Sequence, residues 1–102
     1  MTIRSSASFA AFKALANEAR FEMLQTLAED GAAHSCQEFI AMLGITPPAV
    51  SNHVRVLEEA ALIRTERRGA ELYVSLAPTD LAYQMAALVR TEPKNSLKTT
   101  QL

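Results

Sequence analysis

Ser51, Asn52 and Arg55, with the compact Pro48 ahead of them, fall on one side of a helix within GITPPAVSNHVRVLEEAALI, residues 44–63. Asparagine can make a bidentate pair with adenine and arginine with guanine, while serine can reach a base edge or a phosphate. A helix facing only solvent would crowd that side with Glu and Lys, and here long charged side chains are few. Thr46, just before Pro47, adds a hydroxyl at the helix start, where free N–H groups favour a phosphate. Further on, Arg64, Arg67 and Arg68 precede Gly69 and can hold nucleic-acid backbone or enter a minor groove. His53, beside the polar face, reads as a phosphate-contacting imidazole or as a partly buried ring satisfied by a backbone carbonyl.

Cys36 is the chain's single cysteine, and His34 lies just before it. In the first turn of a helix the dipole and free N–H groups lower a thiol pKa, which suits a metal or metalloid ligand or an oxidisable sensor. The competing reading is a small buried residue on the stripe Cys36, Phe39, Ile40 and Leu43, where free cysteine usually packs. One soft ligand per chain is too few for a zinc site, which wants about four. No metal site and no cofactor are expected. No nucleophile–base pair or phosphate loop is visible either, so an enzyme is not expected.

These groups need elements to position them. Gly44 can end one helix, Thr46 can cap the next, and Pro47 suits its first position. Val50, Val54, Leu57 and Ala61 then form the apolar stripe behind the polar face. A short helix, a glycine turn and a second helix of this kind is the helix-turn-helix pattern. Upstream, Phe9, Phe12, Leu15 and Ala16 mark a first helix. Asn17 caps a second, bearing Phe21, Leu24, Leu27 and Ala28 and closing at Asp30-Gly31. Ser35 with Glu38 makes a capping box for the third. Downstream the period changes. Residues 63–66 and 72–76 read as strands around Arg67-Arg68-Gly69-Ala70-Glu71, a β-hairpin or wing. Thr79-Asp80 opens a last helix with Leu81, Met85, Leu88 and Val89 on one side, stopped at Glu92-Pro93.

The fold class expected is mainly α with a small β-hairpin, a dimeric winged helix-turn-helix in the order α-α-α-α-β-β-α. Residues 1–8 are expected to be a flexible N-terminus, 9–91 the DNA-binding and dimerisation domain, and 92–102 a flexible tail. Phe9, Phe12, Leu81, Met85 and Leu88 exceed what so small a core needs, and as a set they suggest a two-fold interface. Such a dimer would place its reading helices about one DNA turn, roughly 34 Å, apart. With 102 residues and 49% hydrophobic content the chain suits one domain with one modest core. It has no signal-peptide core and no run approaching the ~18 apolar residues of a membrane span, so it is expected to be cytoplasmic with no membrane partner. The net charge of −1 gives no general attraction to DNA, so positive charge must act locally.

With those residues in place, the chain resembles the ArsR/SmtB family of dimeric winged-helix bacterial repressors over about Phe9 to Val89. The resemblance rests on FKALANEARFEMLQTL, QEFIAMLGITPPAVSNHVRVLEEAALI and RTERRGAELYVSL. Within it, AVSNHVRVLEEAALI is similar to the family pattern TVSRHLKVLREAGLV. The resemblance implies a homodimer that binds a palindromic operator in double-stranded DNA and blocks transcription, with an effector that weakens binding. The family's effector ligands transfer poorly. Its Cys-Val-Cys pair would fall on Ser35 and Gln37, with Cys36 between them. Of the Asp and His set in its last helix only Asp80 is matched, and its thiol switches use a second cysteine. The effector is therefore unknown. Glu58, Glu59, Glu66 and Glu71 temper the affinity expected of one domain, and the rival expectation, favoured by the acidic balance and the short supply of lysine, is a winged-helix protein-interaction module without specific DNA binding.

Overall fold

A computed structural model describes residues 6–93; the expectations for 1–5 and 94–102 lie outside the described residues. The chain forms α1 (Ala7–Leu15), α2 (Glu18–Asp30), β1 (His34–Ser35), α3 (Cys36–Leu43), α4 (Pro47–Glu59), β2 (Ile63–Arg68), β3 (Glu71–Leu76) and α5 (Asp80–Arg90). The helix starts follow from their caps. The side-chain oxygens of Ser6, Asn17, Ser35, Thr46 and Thr79 each accept a backbone N–H of the first turn. Ser35 and Glu38 complete their capping box at 3.2 and 2.8 Å. Gly31 and Gly44 stop α2 and α3 in the left-handed region at φ +67° and +66°.

Three findings differ from the sequence expectations. The first helix starts at Ala7 rather than Phe9, and it buries Ala11, Ala14 and Leu15 instead of its phenylalanines. A two-residue strand, β1, pairs antiparallel with β3 (His34↔Val74, Ser35↔Tyr73), giving a sheet of order β1-β3-β2. So short a strand has no local signature; its partner creates it. The hairpin is also tighter than expected, because Arg67 pairs with Leu72 and Arg68 with Glu71, leaving Gly69-Ala70 as the turn. Gly69 takes φ +63° at the first turn position, where mirror-image hairpin turns favour glycine.

The core gathers around α2, in which every residue from Glu22 to Ala28 is buried. The polar members are satisfied: Gln25 donates to the carbonyls of Val89 (3.0 Å) and Glu92 (3.1 Å), closing the end of α5. Phe39, Val50, Leu57, Leu62 and Val74 seat α3, α4 and the hairpin on this helix.

The end of α4 corrects one expected core position. The helix stops at Glu59, and Ala61 is exposed at φ +62°, while Ala60 and Leu62 are buried. The N–H of Leu62 bonds the Leu57 carbonyl (3.1 Å) and that of Ala61 bonds Glu58 (2.9 Å). This is a Schellman ending with alanine in the left-handed position that usually takes glycine. Its Cβ costs about 1–2 kcal/mol there, partly offset by the freer unfolded chain of a glycine variant. Ala61→Gly is therefore expected to stabilise the fold by about 0.5–1 kcal/mol in urea titrations, and a loss of stability would contradict this account.

Candidate nucleic-acid interface

Helix α4 separates two faces. Val50, Val54 and Leu57 are buried, whereas Pro48, Ser51, Asn52 and Arg55 are exposed. The capping bond from Ala49 N–H to Thr46 Oγ1 is 3.3 Å, which leaves the Thr46 hydroxyl proton free to donate at the helix N-terminus. Arg55 donates through Nη2 to Asn52 Oδ1 and through Nη1 to the Glu59 carboxylate at 3.3 Å. The two side chains best suited to base edges are thus held side by side. Exposed pairs of this kind are worth about 0–1 kcal/mol, less than the ~1–3 kcal/mol of a bidentate base contact.

The pleat of the hairpin divides its arginines. Arg64, Glu66 and Arg68 alternate onto one face, and Thr65 and Arg67 onto the other. Arg68 stacks 4.5 Å over the Tyr73 ring and pairs with Glu66 at 3.2 Å. Arg67 donates to the Ala70 carbonyl at 3.4 Å. On its side of the wing a hollow of about 250 Å³ brings Arg67 together with Ser51, Pro47, Gln37 and Cys36. One hairpin arginine therefore adjoins the front of α4, while Arg64 and Arg68 lie on the other face.

His53 does not share that front. Its Nδ1 lies 3.0 Å from Arg20 Nη1, and Arg20 Nε donates to the Ala14 carbonyl at 2.6 Å. The ring is half-buried, and its partner is a guanidinium rather than the expected carbonyl or phosphate. Burial first, and then the Arg20 charge, hold its pKa below the ordinary value. Arg20 escaped the sequence reading because it lies outside the apolar stripe of α2 and its partner on α4 sits 33 positions away.

The thiol expectation is corrected in direction. Burial pushes the Cys36 pKa up, and the neighbouring Arg67 charge only partly opposes this. Loss of water around a half-buried thiol disfavours the thiolate. Cys36 packs against the core with Ile40 and Leu43. His34 turns its ring nitrogens to Asp30 (3.2 Å) and Glu38 (3.3 Å). The Ala32 N–H, and then His34, lower the Asp30 pKa. Among the described residues no cluster of three His, Cys, Asp or Glu is placed to hold a metal.

The expected interface residues divide as well. Phe9, Phe12 and Leu88 are half exposed, at 56%, 52% and 53%. Met85 is buried within the protomer, and Leu81 is partly buried against the core. Leu88, by contrast, turns outward. Tyr83, absent from the expected set, is also exposed. Between α1 and α5 runs an apolar groove of about 420 Å³, lined by Phe12, Leu15, Ala16, Phe21, Leu88 and Val89. No helix among the described residues is long and apolar enough to cross a membrane.

With this geometry in place, the comparisons with known proteins bear on it directly. The family model for a helix-turn-helix domain matches residues 15–66. The uncharacterized HTH-type transcriptional regulator YdfF of Bacillus subtilis (strain 168) is 33% identical over 84 residues, 82% of this chain and 37% of YdfF. This chain thus spans well under half the length of that relative. Among solved structures, HlyU from Vibrio cholerae N16961 aligns with a TM-score of 0.74 at 25% identity, covering 89% of this chain and 97% of HlyU. The homodimeric winged helix-turn-helix DNA-binding domain of Mb0332 from Mycobacterium bovis, a possible ArsR-family regulator, aligns with a TM-score of 0.71 at 23% identity. That alignment covers 100% of this chain and 98% of the Mb0332 domain, and it speaks to the fold.

Proposed function

The chain belongs to the helix-turn-helix domain family, with the winged-helix architecture of ArsR/SmtB-type regulators, and from that premise we propose a sequence-specific DNA-binding repressor acting as a homodimer. The observation that carries the reading is α4 itself. It is anchored by a buried apolar underside and presents Pro48, Ser51, Asn52 and Arg55 to solvent beside a hydroxyl-capped N-terminus. Asn52 and Arg55 read base edges in a major groove. Ser51, Thr46 and the hairpin arginines Arg64, Arg67 and Arg68 hold phosphates. Phe9, Phe12 and Leu88 supply the dimer face, so two reading helices meet a palindromic operator in the cytoplasm. The homodimeric Mb0332 domain, alike in fold, supports that assembly.

Cys36 serves packing in this reading, and release from DNA belongs to an effector that the known ligand sets do not supply. The test is selection of bound sequences from random duplex DNA, with an enriched palindrome as the expected result. Asn52→Ala and Arg55→Ala are each expected to lower affinity for that duplex by about 1–3 kcal/mol, with thermal melts little changed. Selection that returns no preferred sequence, with retention on DNA insensitive to salt, would favour a protein partner for the same helix.

A further inference from the structure

We propose that Arg20 is a positioning residue for the reading helix, and that it holds α4 only while His53 is uncharged, giving DNA affinity a His53-dependent pH profile. The inference rests on the DNA-binding reading above.

At Arg20 three helices meet through one side chain. From α2 its Nε donates to Ala14 at the end of α1, and its Nη1 lies 3.0 Å from His53 Nδ1 on α4. A guanidinium carries donors only and stays charged. Nδ1 must therefore be the acceptor, which places the proton of the neutral ring on Nε2. An imidazolium has no lone pair left at Nδ1, and it would set a second cation against the first. Protonation of His53 and the Arg20 contact exclude one another.

The apolar underside of α4 cannot substitute for this contact. Hydrophobic burial is non-directional and sets how deeply the helix sits, whereas a hydrogen bond also fixes its rotation. His53 directly follows Asn52 and Ser51, so a small rotation of the helix carries both away from their targets. Of the charges on neighbouring elements, Arg20 is the one that acts on the ring. Lys13 of α1 and Glu59 of α4 line an adjoining hollow. Glu38 of α3 is held by Ser35 and His34, and Glu58 of α4 accepts from Thr65 of β2.

The sign follows from the depressed His53 pKa. The contribution of the neutral ring is complete above its ordinary value of 6.5 and is lost as pH falls through its folded value. Wild type, His53→Asn and Arg20→Gln are compared for affinity toward the selected duplex at constant ionic strength, from about pH 7.5 to about pH 5.5. Asparagine keeps an acceptor near the Nδ1 position and removes the titration. Relative to His53→Asn, wild type is expected to lose on the order of tenfold across this range. Arg20→Gln, checked for folding by circular dichroism, should already be about as weak at the upper pH, with a profile parallel to His53→Asn.

Nitrogen NMR of the imidazoles at the upper pH should show His53 protonated at Nε2 only; a His34→Gln sample identifies the His53 signals, since the chain has 2 histidines. Parallel profiles for wild type and His53→Asn, or a proton on Nδ1, overturn the inference while leaving DNA binding intact. Absence of sequence-specific binding by wild type at every pH overturns the DNA reading and this inference with it. If Arg20→Gln fails to fold, the comparison of wild type with His53→Asn decides alone.

Discussion

A chain carrying Phe12→Asp together with Leu88→Asp is expected to stay folded, sediment as a monomer, and lose roughly 10²–10⁴-fold of its affinity for a palindromic duplex. Both side chains are about half exposed, at 52% and 53%, so their replacement removes little of the protomer's own core. In a two-fold dimer each would lie near its symmetry mate, and four carboxylates would be brought into a surface that must lose its water. The loss of DNA affinity then comes from linkage. Once one half-site is engaged, a joined second domain binds as if at very high local concentration, and a monomer forfeits that gain. The net charge of −1 makes the forfeit severe, because one protomer has little general attraction to phosphate. Sedimentation velocity and fluorescence anisotropy on the same samples decide the matter. A dimer with unchanged affinity would move the interface off α1 and α5.

Much of this architecture is legible in residue order because local chemistry dictates it. Asn17, the Ser35–Glu38 box and the Thr46–Pro47 start each answer free N–H groups within the next turn, and Gly31 and Gly44 occupy left-handed stops. The solvent face of α4 is legible for the same reason: its period is the helix's own. What escapes is decided by elements distant in sequence. β1 exists because β3 lies beside it. Ala61 fits the apolar repeat by spacing, yet the helix has already ended, and the repeat passes to Ala60 and Leu62. In α1, which packs against α2 and α4, Ala11, Ala14 and Leu15 are buried in place of the phenylalanines. That choice turns Phe9 and Phe12 outward. The contact between Arg20 and His53 spans 33 positions and belongs to no local pattern.

Phe39→Ala is expected to destabilise the domain by about 3–5 kcal/mol in urea unfolding. Phe39 is among the largest fully buried side chains, 1% exposed, and it joins α3 to the common core. Its ring also lies 6.0 Å from that of His34 on β1, tilted by 46°. Truncation leaves a cavity that the neighbours fill only partly, since α3 is tied at one end by its capping box and at the other by the Gly44 stop. A small domain has about 5–15 kcal/mol in total, so the variant sits near the edge of folding. The consequence for function runs through geometry. α3 packs directly on α4, and collapse into the cavity would tilt the reading helix away from its fixed seat on α2. Phe39→Leu keeps most of the volume and should cost under about 1.5 kcal/mol with DNA affinity nearly intact. If Phe39→Ala cost no more than Phe39→Leu, the packing assigned to α3 would be wrong.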